Sequence, residues 1–381
     1  MNKNLPLSNI VVLDLTNVLS GPFATQILSD LGAEIIKVEK PDGDDSRKFG
    51  PFVKKRSSYF ISLNRGKKSI IIDFKKDKDK KIFKKLLAIS DVIIDNFRPG
   101  TLEKYGFSSS FLKENFPSLI QAKISGFGET GPLKGNPAYD MIVQAMGGIM
   151  SVTGKNKNET YRVGSSIGDI VAGLYAVIGV LTQIISRKQL KKGSRLDLSM
   201  LDCQVAILEN AVARYSVEKK IPCPLGTDHP SITPFGAFKT LDGTLAIAVG
   251  NNKMFKDFCY SIENEKLYKK KKYENNEKRN KNLSDLRRDI ESQMKKKKTD
   301  YWCKVFVKHK IPHSKINNVK EVINNKQIQS RKMVLDYNFN AINNLKISGN
   351  PLKFSFMNIN DNVKKSPDLN ENKSEILKKI K

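Results

Sequence analysis

Short unbroken runs of Val, Ile and Leu recur through the first hundred residues, each bounded by polar or small residues: Ile10 to Leu15, Glu34 to Glu39, Ser69 to Asp73 and Asp91 to Asp95. Apolar runs of this length without polar alternation suit strands buried on both faces. Between them lie helix-compatible segments, one through Ala24 to Leu28 after the small-residue turn Ser20-Gly21-Pro22 and another over Asp79 to Ile89. Alternation of the two kinds predicts an α/β fold, a parallel sheet with helices on both faces. Such sheets take ligands beyond the carboxyl ends of their strands. Lys40-Pro41-Asp42-Gly43 and Asn96-Phe97-Arg98-Pro99-Gly100, after the second and fourth strands, stand there.

Further along, the longest apolar run, Ile170 to Ile185, falls short of the roughly 20 residues that span a bilayer and predicts a buried helix. The stretch from Pro222 to Pro234 is Pro-rich and reads as a linker. Beyond it, Phe235 to Thr240 and Leu245 to Val249 flank Asp242-Gly243, a hairpin signal. Lys-rich helices over Leu283 to Lys298 and Tyr301 to His309 come next, then a strand-like Leu352-Lys353-Phe354-Ser355 and a polar terminal helix. At 381 residues, two domains are expected: a large one over 1–220, a linker over 221–234 and a smaller α+β domain over 235–329.

Charge adds one question. Lys and Arg total 67 against 39 acidic residues, a net charge of +28, which invites a polyanionic partner such as nucleic acid, a membrane or a phosphorylated cofactor. The lysines are interleaved with Asn, Glu and Asp, and the aromatics follow no base-stacking signature, so a solvated surface is expected, with neither nucleic acid nor membrane as partner. Four widely spaced cysteines, Cys203, Cys223, Cys259 and Cys303, read as reduced thiols. The amino terminus lacks an apolar signal-peptide core, so a cytoplasmic location is the expectation.

Several chemistries lose support at this point. His309 and His313 have helical metal-pair spacing, but Pro312 lies between them without an acidic or thiolate companion, so no metal is expected. There is no GxSxG elbow, no GK[ST] and no strand-anchored GxGxxG. What stands out is Arg162-Val163-Gly164-Ser165-Ser166-Ile167-Gly168-Asp169, which leads into the apolar helix. An acid there is explained by helix capping, since free N–H groups and the dipole favour it. The same physics keeps a carboxylate charged beside donors that can stabilise an oxyanion, which suits a covalent nucleophile.

Taken in order, Leu13-Asp14-Leu15-Thr16, Ser20-Gly21-Pro22, the stretch Asp30 to Glu39, Asn64 to Ser69, Asp95 to Gly100, Gly126-Phe127-Gly128 with Gly131-Pro132, Tyr139-Asp140, Gly147-Gly148 and Gly168-Asp169 resemble the class III CoA-transferase family of CaiB/BaiF type. The resemblance covers nearly the whole chain. It implies a Rossmann-like large domain completed by residues 330–381, a smaller domain, and an interlocked homodimer. It implies Asp169 as the catalytic aspartate, and CoA contacts from Ser20, Lys40, Asp73, Phe74, Lys75, Asn96, Phe97, Arg98, Lys104 and Tyr139. Gly168, Gly250 and Asn251 fall where relatives place oxyanion donors and the loop that shields the acyl intermediate. Pro137 replaces a lysine found in some relatives, and the glycine loop is shorter than in formyl-CoA transferases, which argues against oxalate and formate.

The reaction so implied moves CoA from an acyl-CoA to a carboxylic acid through an aspartyl-CoA thioester, with CoA thioesters as substrates and no resident cofactor. Leu225-Gly226-Thr227-Asp228-His229-Pro230 with Pro234-Phe235 is similar to the branch that uses succinyl-CoA and small dicarboxylates. Two alternatives stay in view. An acyl-CoA racemase shares the scaffold but uses a histidine where this chain has Ala138-Tyr139-Asp140, and no histidine precedes residue 229. A non-catalytic CoA- or nucleic-acid-binding protein would exploit the +28 charge instead.

Overall fold

The structure, a computed structural model, describes residues 5–381. The chain divides into two compact units, the first comprising Met1–Met150, Arg162–Lys219 and Lys326–Lys381, the second Ser151–Tyr161 and Lys220–Asn325. Residues 151–161, placed with the large domain on sequence pattern, cluster with the second unit because their short hairpin, Gly154–Asn156 against Glu159–Thr160, receives the Gly226 N–H on the Gly154 carbonyl.

The first unit is built on six parallel strands: β1 (Val11–Asp14), β2 (Glu34–Glu39), β3 (Lys68–Ile71), β4 (Val92–Asp95), β5 (Ile120–Ser125) and β6 (Arg195–Ser199). Their spatial order is β3-β2-β1-β4-β5-β6, the doubly wound arrangement, which opens a crevice where the order reverses between β1 and β4. Successive residues point to opposite faces, so the unbroken apolar runs feed two cores at once. Val12, Ile35 and Ile94 join α1 (Ser20–Asp30) and α6 (Ile167–Leu190) on one side. Leu13, Ile36 and Ile93 join Phe83 and Leu86 of α3 (Asp77–Ala88), Leu112 of α4 (Ser109–Asn115) and Ile376 of α11 (Lys373–Lys379) on the other. Two further helices of this unit, α2 (Ser58–Asn64) and α5 (Asp140–Met146), flank the carboxyl edge.

Three expectations change. Ser20-Gly21-Pro22 is the first turn of α1 rather than a turn before it; Pro is tolerated there because its missing N–H has no helical partner to lose. Leu352 to Ser355 forms no ladder, only an isolated bridge from Phe354 to Met357, since the segment is exposed on every side and follows Pro351. The strands of the return are instead β10 (Val334–Tyr337) and β11 (Leu345–Ser348), whose Leu335, Tyr337 and Ile347 pack with Ile61 of α2.

The third change concerns the apolar helix. α6 extends over 24 residues, enough in length and composition to cross a membrane, yet it is neither short nor wholly buried. Val171, Ala172, Ala176, Val177 and Val180 enter the core beneath α1, while Leu174, Ile178 and Ile185 are 43%, 57% and 65% exposed. One face of a core helix is therefore left apolar and uncovered.

In the second unit, β7 (Phe235–Lys239), β8 (Thr244–Ala248) and β9 (His313–Lys315) form an antiparallel sheet in that order. The helices α7 (Asn252–Ser261), α9 (Leu283–Met294) and α10 (Thr299–Lys308) share its core, and α8 (Asn276–Lys281) sets Arg279 over the Phe255 ring of α7. α9 stops before the run Lys295 to Lys298, whose like charges oppose further turns. His309 follows α10 and His313 lies on β9, so their spacing is not helical. Arg279 is the largest fully buried side chain of the chain. Its guanidinium donates to the Thr233 and Tyr273 carbonyls and to Asn252 Oδ1 at 2.7, 3.1 and 2.9 Å, tying the Pro-rich segment to the start of α7.

Candidate active site

Two loops meet at the switch point. The Asn17 N–H donates to Asn96 Oδ1 and the Asn96 amide donates back to the Asn17 carbonyl, both at 2.8 Å, so the turn after β1 and the turn after β4 are locked together. Asn96 also approaches Ser20 Oγ at 3.4 Å. Ser20 opens α1, Asp140 opens α5 and Ile167 opens α6, and these three helix starts converge. A Cβ built on Gly173 of α6 would lie 2.7 Å from the Ser20 carbonyl, and one built on Gly168 would meet Val143 Cγ2 at 2.7 Å and Asp140 Oδ1 at 3.0 Å. Only glycine allows so close an approach of α6 to both neighbours.

Asp169 sits in the first turn of α6 and does not cap it. Ser20, on another helix, is the polar group that favours its charged form. Burial and then the Asp140 charge oppose it and push the Asp169 carboxyl up to about 6. Burial and a neighbouring carboxylate thus work against the charge that the helix terminus favours. At neutral pH the group is still mostly ionised, but it is more basic, hence a stronger nucleophile, than a surface aspartate.

Asp140 is buried and fully engaged. Its Oδ1 accepts the Gly168 N–H at 2.8 Å, and its Oδ2 accepts from Gln144 Nε2 at 2.8 Å and from Arg162 at 3.2 Å. Gln144 Oε1 in turn accepts the Val163 N–H at 2.9 Å. The segment that delivers Asp169 is thus clamped from α5. Gly168, expected to offer its N–H to an oxyanion, has that N–H occupied by Asp140.

The other expected residues gather along the carboxyl edge of the sheet. A cavity of about 180 Å³ after β1, β2 and β3 is walled by Lys40, Phe74, Phe97 and Tyr105, with Phe74 stacked on Tyr105 at 5.2 Å between centroids. A second, of about 190 Å³, runs from Asn96, Phe97 and Arg98 to Pro137 and Tyr139, so Phe97 is a wall of both. Lys75, Arg98 and Lys104 are exposed beside them, and Lys40 pairs with Asp45 at 2.6 Å in solvent. Tyr139, 79% exposed, immediately precedes α5.

Asp73 accepts the Lys75 N–H at 3.1 Å and closes its own turn. Gly250 and Asn251 belong to the second unit, at the amino end of α7, where Asn251 Oδ1 caps the Met254 N–H at 2.9 Å and Gly250 faces open space.

Tyr59 and Tyr105 escaped the sequence reading. Burial and then the charges of Asp169, Asp44 and Asp140 push the Tyr59 phenol up to about 12. Neither tyrosine carries a local motif; proximity comes from folding alone.

With this geometry in view, the comparisons with known proteins fall into place. The model of CoA-transferase family III matches residues 7–373. The human succinyl-CoA:glutarate CoA-transferase is 35% identical over 100% of this chain and 87% of its own length, and the acetyl-CoA:oxalate CoA-transferase of Acetobacter aceti is 38% identical over 92% and 89%. A crystal structure of a CaiB/BaiF family protein from Brucella suis superposes with a TM-score of 0.87 and 34% identity over the full length of both chains. The chain belongs to CoA-transferase family III and is an enzyme of that class.

Proposed function

We propose that the enzyme moves CoA from succinyl-CoA to a small dicarboxylic acid through an aspartyl-CoA thioester on Asp169. The observation that carries this reading is a carboxylate in the first turn of α6, where three helix starts converge and Gly168 and Gly173 let α6 approach Asp140 and Ser20 closely. Asp169 attacks the thioester carbonyl, giving a mixed anhydride and CoA thiolate. The thiolate then attacks the aspartyl carbonyl and releases succinate. The acceptor carboxylate attacks the aspartyl thioester, expels thiolate, and the thiolate takes the new acyl group and frees Asp169. Atoms balance with acyl-CoA and acid alone, so no resident cofactor or metal is called for. Ser20 supplies oxyanion donors, as preorganised groups do where charge develops.

For CoA itself, the Phe74, Phe97 and Tyr105 walls suit the adenine ring, and Lys40, Lys75, Arg98 and Lys104 suit its phosphates. Asn96 and Tyr139 would line the thioester-bearing arm. The names of the relatives support a dicarboxylate acceptor, and because one of them is an oxalate enzyme, oxalate belongs beside glutarate, itaconate and malate in any acceptor panel. Incubation with succinyl-CoA and hydroxylamine, followed by mass mapping, should find the modified residue at Asp169. An unmodified Asp169 in active enzyme overturns the mechanism, and failure of succinyl-CoA where a monocarboxyl-CoA works overturns the donor.

The same reading includes a cytoplasmic homodimer without a nucleic-acid or membrane partner. Support for the homodimer is the bare face of α6 and, separately, the helix Ala211–Glu218, none of whose residues is buried and whose Val212 and Val217 are exposed. A second copy is the occupant proposed. Sedimentation equilibrium at micromolar concentration should give twice the chain mass, and Ile178→Glu should shift it toward monomer; a monomeric wild type overturns the assignment.

A further inference from the structure

Beneath the turn that carries Ser20 lies a fully buried ion network. Lys37 of β2 forms an ion pair with Asp44 Oδ2 and donates to the Thr16 carbonyl, both at 2.8 Å, with Lys37 and Asp44 side chains completely excluded from solvent. Asp44 Oδ1 accepts the Val18 N–H at 3.2 Å and is itself held by Ser46, through N–H at 2.8 Å and hydroxyl at 2.7 Å. Asp14 accepts the Thr16 N–H and hydroxyl, and Lys67 donates to Asp14, Thr25, Asn64 and the Pro22 carbonyl. Burial opposes the Asp14 charge, yet Lys67, Lys37 and the hydroxyls of Thr16 and Thr25 hold its carboxyl well below the usual range.

An accounting of the turn backbone shows what this achieves. Thr16 N–H goes to Asp14, Thr16 C=O to Lys37, Asn17 N–H and C=O to Asn96, and Val18 N–H to Asp44. Five successive backbone groups are thus taken by side chains, and between them Val18 is held at φ +65°. That left-handed conformation is rare for a β-branched residue and persists only where its surroundings over-determine it. Two residues later comes Ser20, whose carbonyl would lie 2.7 Å from a Cβ on Gly173, one helical turn beyond Asp169 on α6.

We propose that the buried Lys37–Asp44 pair is a positioning device for catalysis: by forcing Val18 into the left-handed region it aims the Ser20 donors at Asp169. The inference rests on Asp169 being the reacting carboxylate. Lys37 and Asp44 touch neither substrate nor the reacting atoms, and their contribution passes through the turn.

The test uses the full-length enzyme. Lys37→Met combined with Asp44→Asn removes the pair without changing net charge. The groups facing Asp169 are Asp140, backed by Arg162, together with Ser20 and Tyr59, and none of them is altered. With Ser20 no longer aimed, the acidic limb of kcat/KM should move upward by about half to one pH unit and kcat should fall about tenfold or more, with KM for acyl-CoA nearly unchanged.

Adding Val18→Gly, which adopts positive φ freely, should return the limb toward its wild-type position. Val18→Pro, which forbids that φ and removes the N–H, should reproduce the upward shift while leaving the buried pair intact, and it decides the matter if the double variant does not fold. An unmoved limb in every folded variant of the two overturns the proposal. Hydroxylamine mapping of wild type separates the two readings, because label on a residue other than Asp169 overturns the nucleophile assignment itself.

Discussion

Asp169→Asn should exchange CoA more than about 10⁴-fold more slowly than wild type, the loss typical of a missing nucleophile, and should nevertheless melt higher at pH 7.5. The sign follows from proton linkage. In the unfolded chain this carboxyl titrates near its ordinary value of 3.8, and in the folded protein burial first and Asp140 second raise it to about 6. Between those values the folded state binds more protons, so stability falls as pH rises, and above about pH 6 the full penalty is present. The difference in pKa corresponds to about 1–3 kcal/mol, which Asn removes. Calorimetry at pH 7.5 and again near pH 4 should show the advantage at the first and its disappearance at the second. A variant that melts lower than wild type at pH 7.5 would mean that Asp169 is a structural acid.

Asp140→Asn should move the acidic limb of kcat/KM downward from about 6 by roughly one unit, because the neighbouring negative charge that helps raise the Asp169 pKa is gone. It should also lower kcat by about tenfold or more. The new amide would set a donor against Gln144 Nε2 and Arg162, and Gln144 cannot turn over without giving up the Val163 N–H, so the clamp on the start of α6 loosens. Initial rates from about pH 4.5 to 8 give the limb. An unshifted limb accompanied by a lower kcat would remove Asp140 from the electrostatics and leave it only the clamp. The shift is opposite in direction to that expected on removing Lys37 and Asp44, so the two variants check each other.

The strands β1 to β4 were legible because buried parallel strands must be apolar on both faces, and Val11 to Asp14 or Val92 to Asp95 can serve no other purpose so compactly. β5 and β6 were not: Ile120-Gln121-Ala122-Lys123 and Arg195-Leu196-Asp197-Leu198 mix in polar residues that pair across strands and loops, as Lys123 does with buried Asp95 at 2.7 Å and Arg195 with Gln121 at 3.1 Å. The apolar face of α6 was legible as hydrophobic but not as half-uncovered, since composition records what a residue is and not what lies against it.

The family and the candidate nucleophile could be read from local text, because Gly168-Asp169 and the strings around Ser20, Asn96 and Tyr139 are residues that any copy of the fold must carry. How that carboxylate behaves is set by packing. Its basicity depends on burial and on Asp140, 29 positions earlier in the chain, and the polar group that favours its charge, Ser20, stands on a different helix. The Gly168 N–H that looked free is taken by Asp140, and the turn that aims Ser20 is shaped by Lys37 and Asp44 from the next strand and the loop beyond it. Burial, charge proximity and over-determined backbone conformation are properties of packing in three dimensions, which no local string of residues encodes.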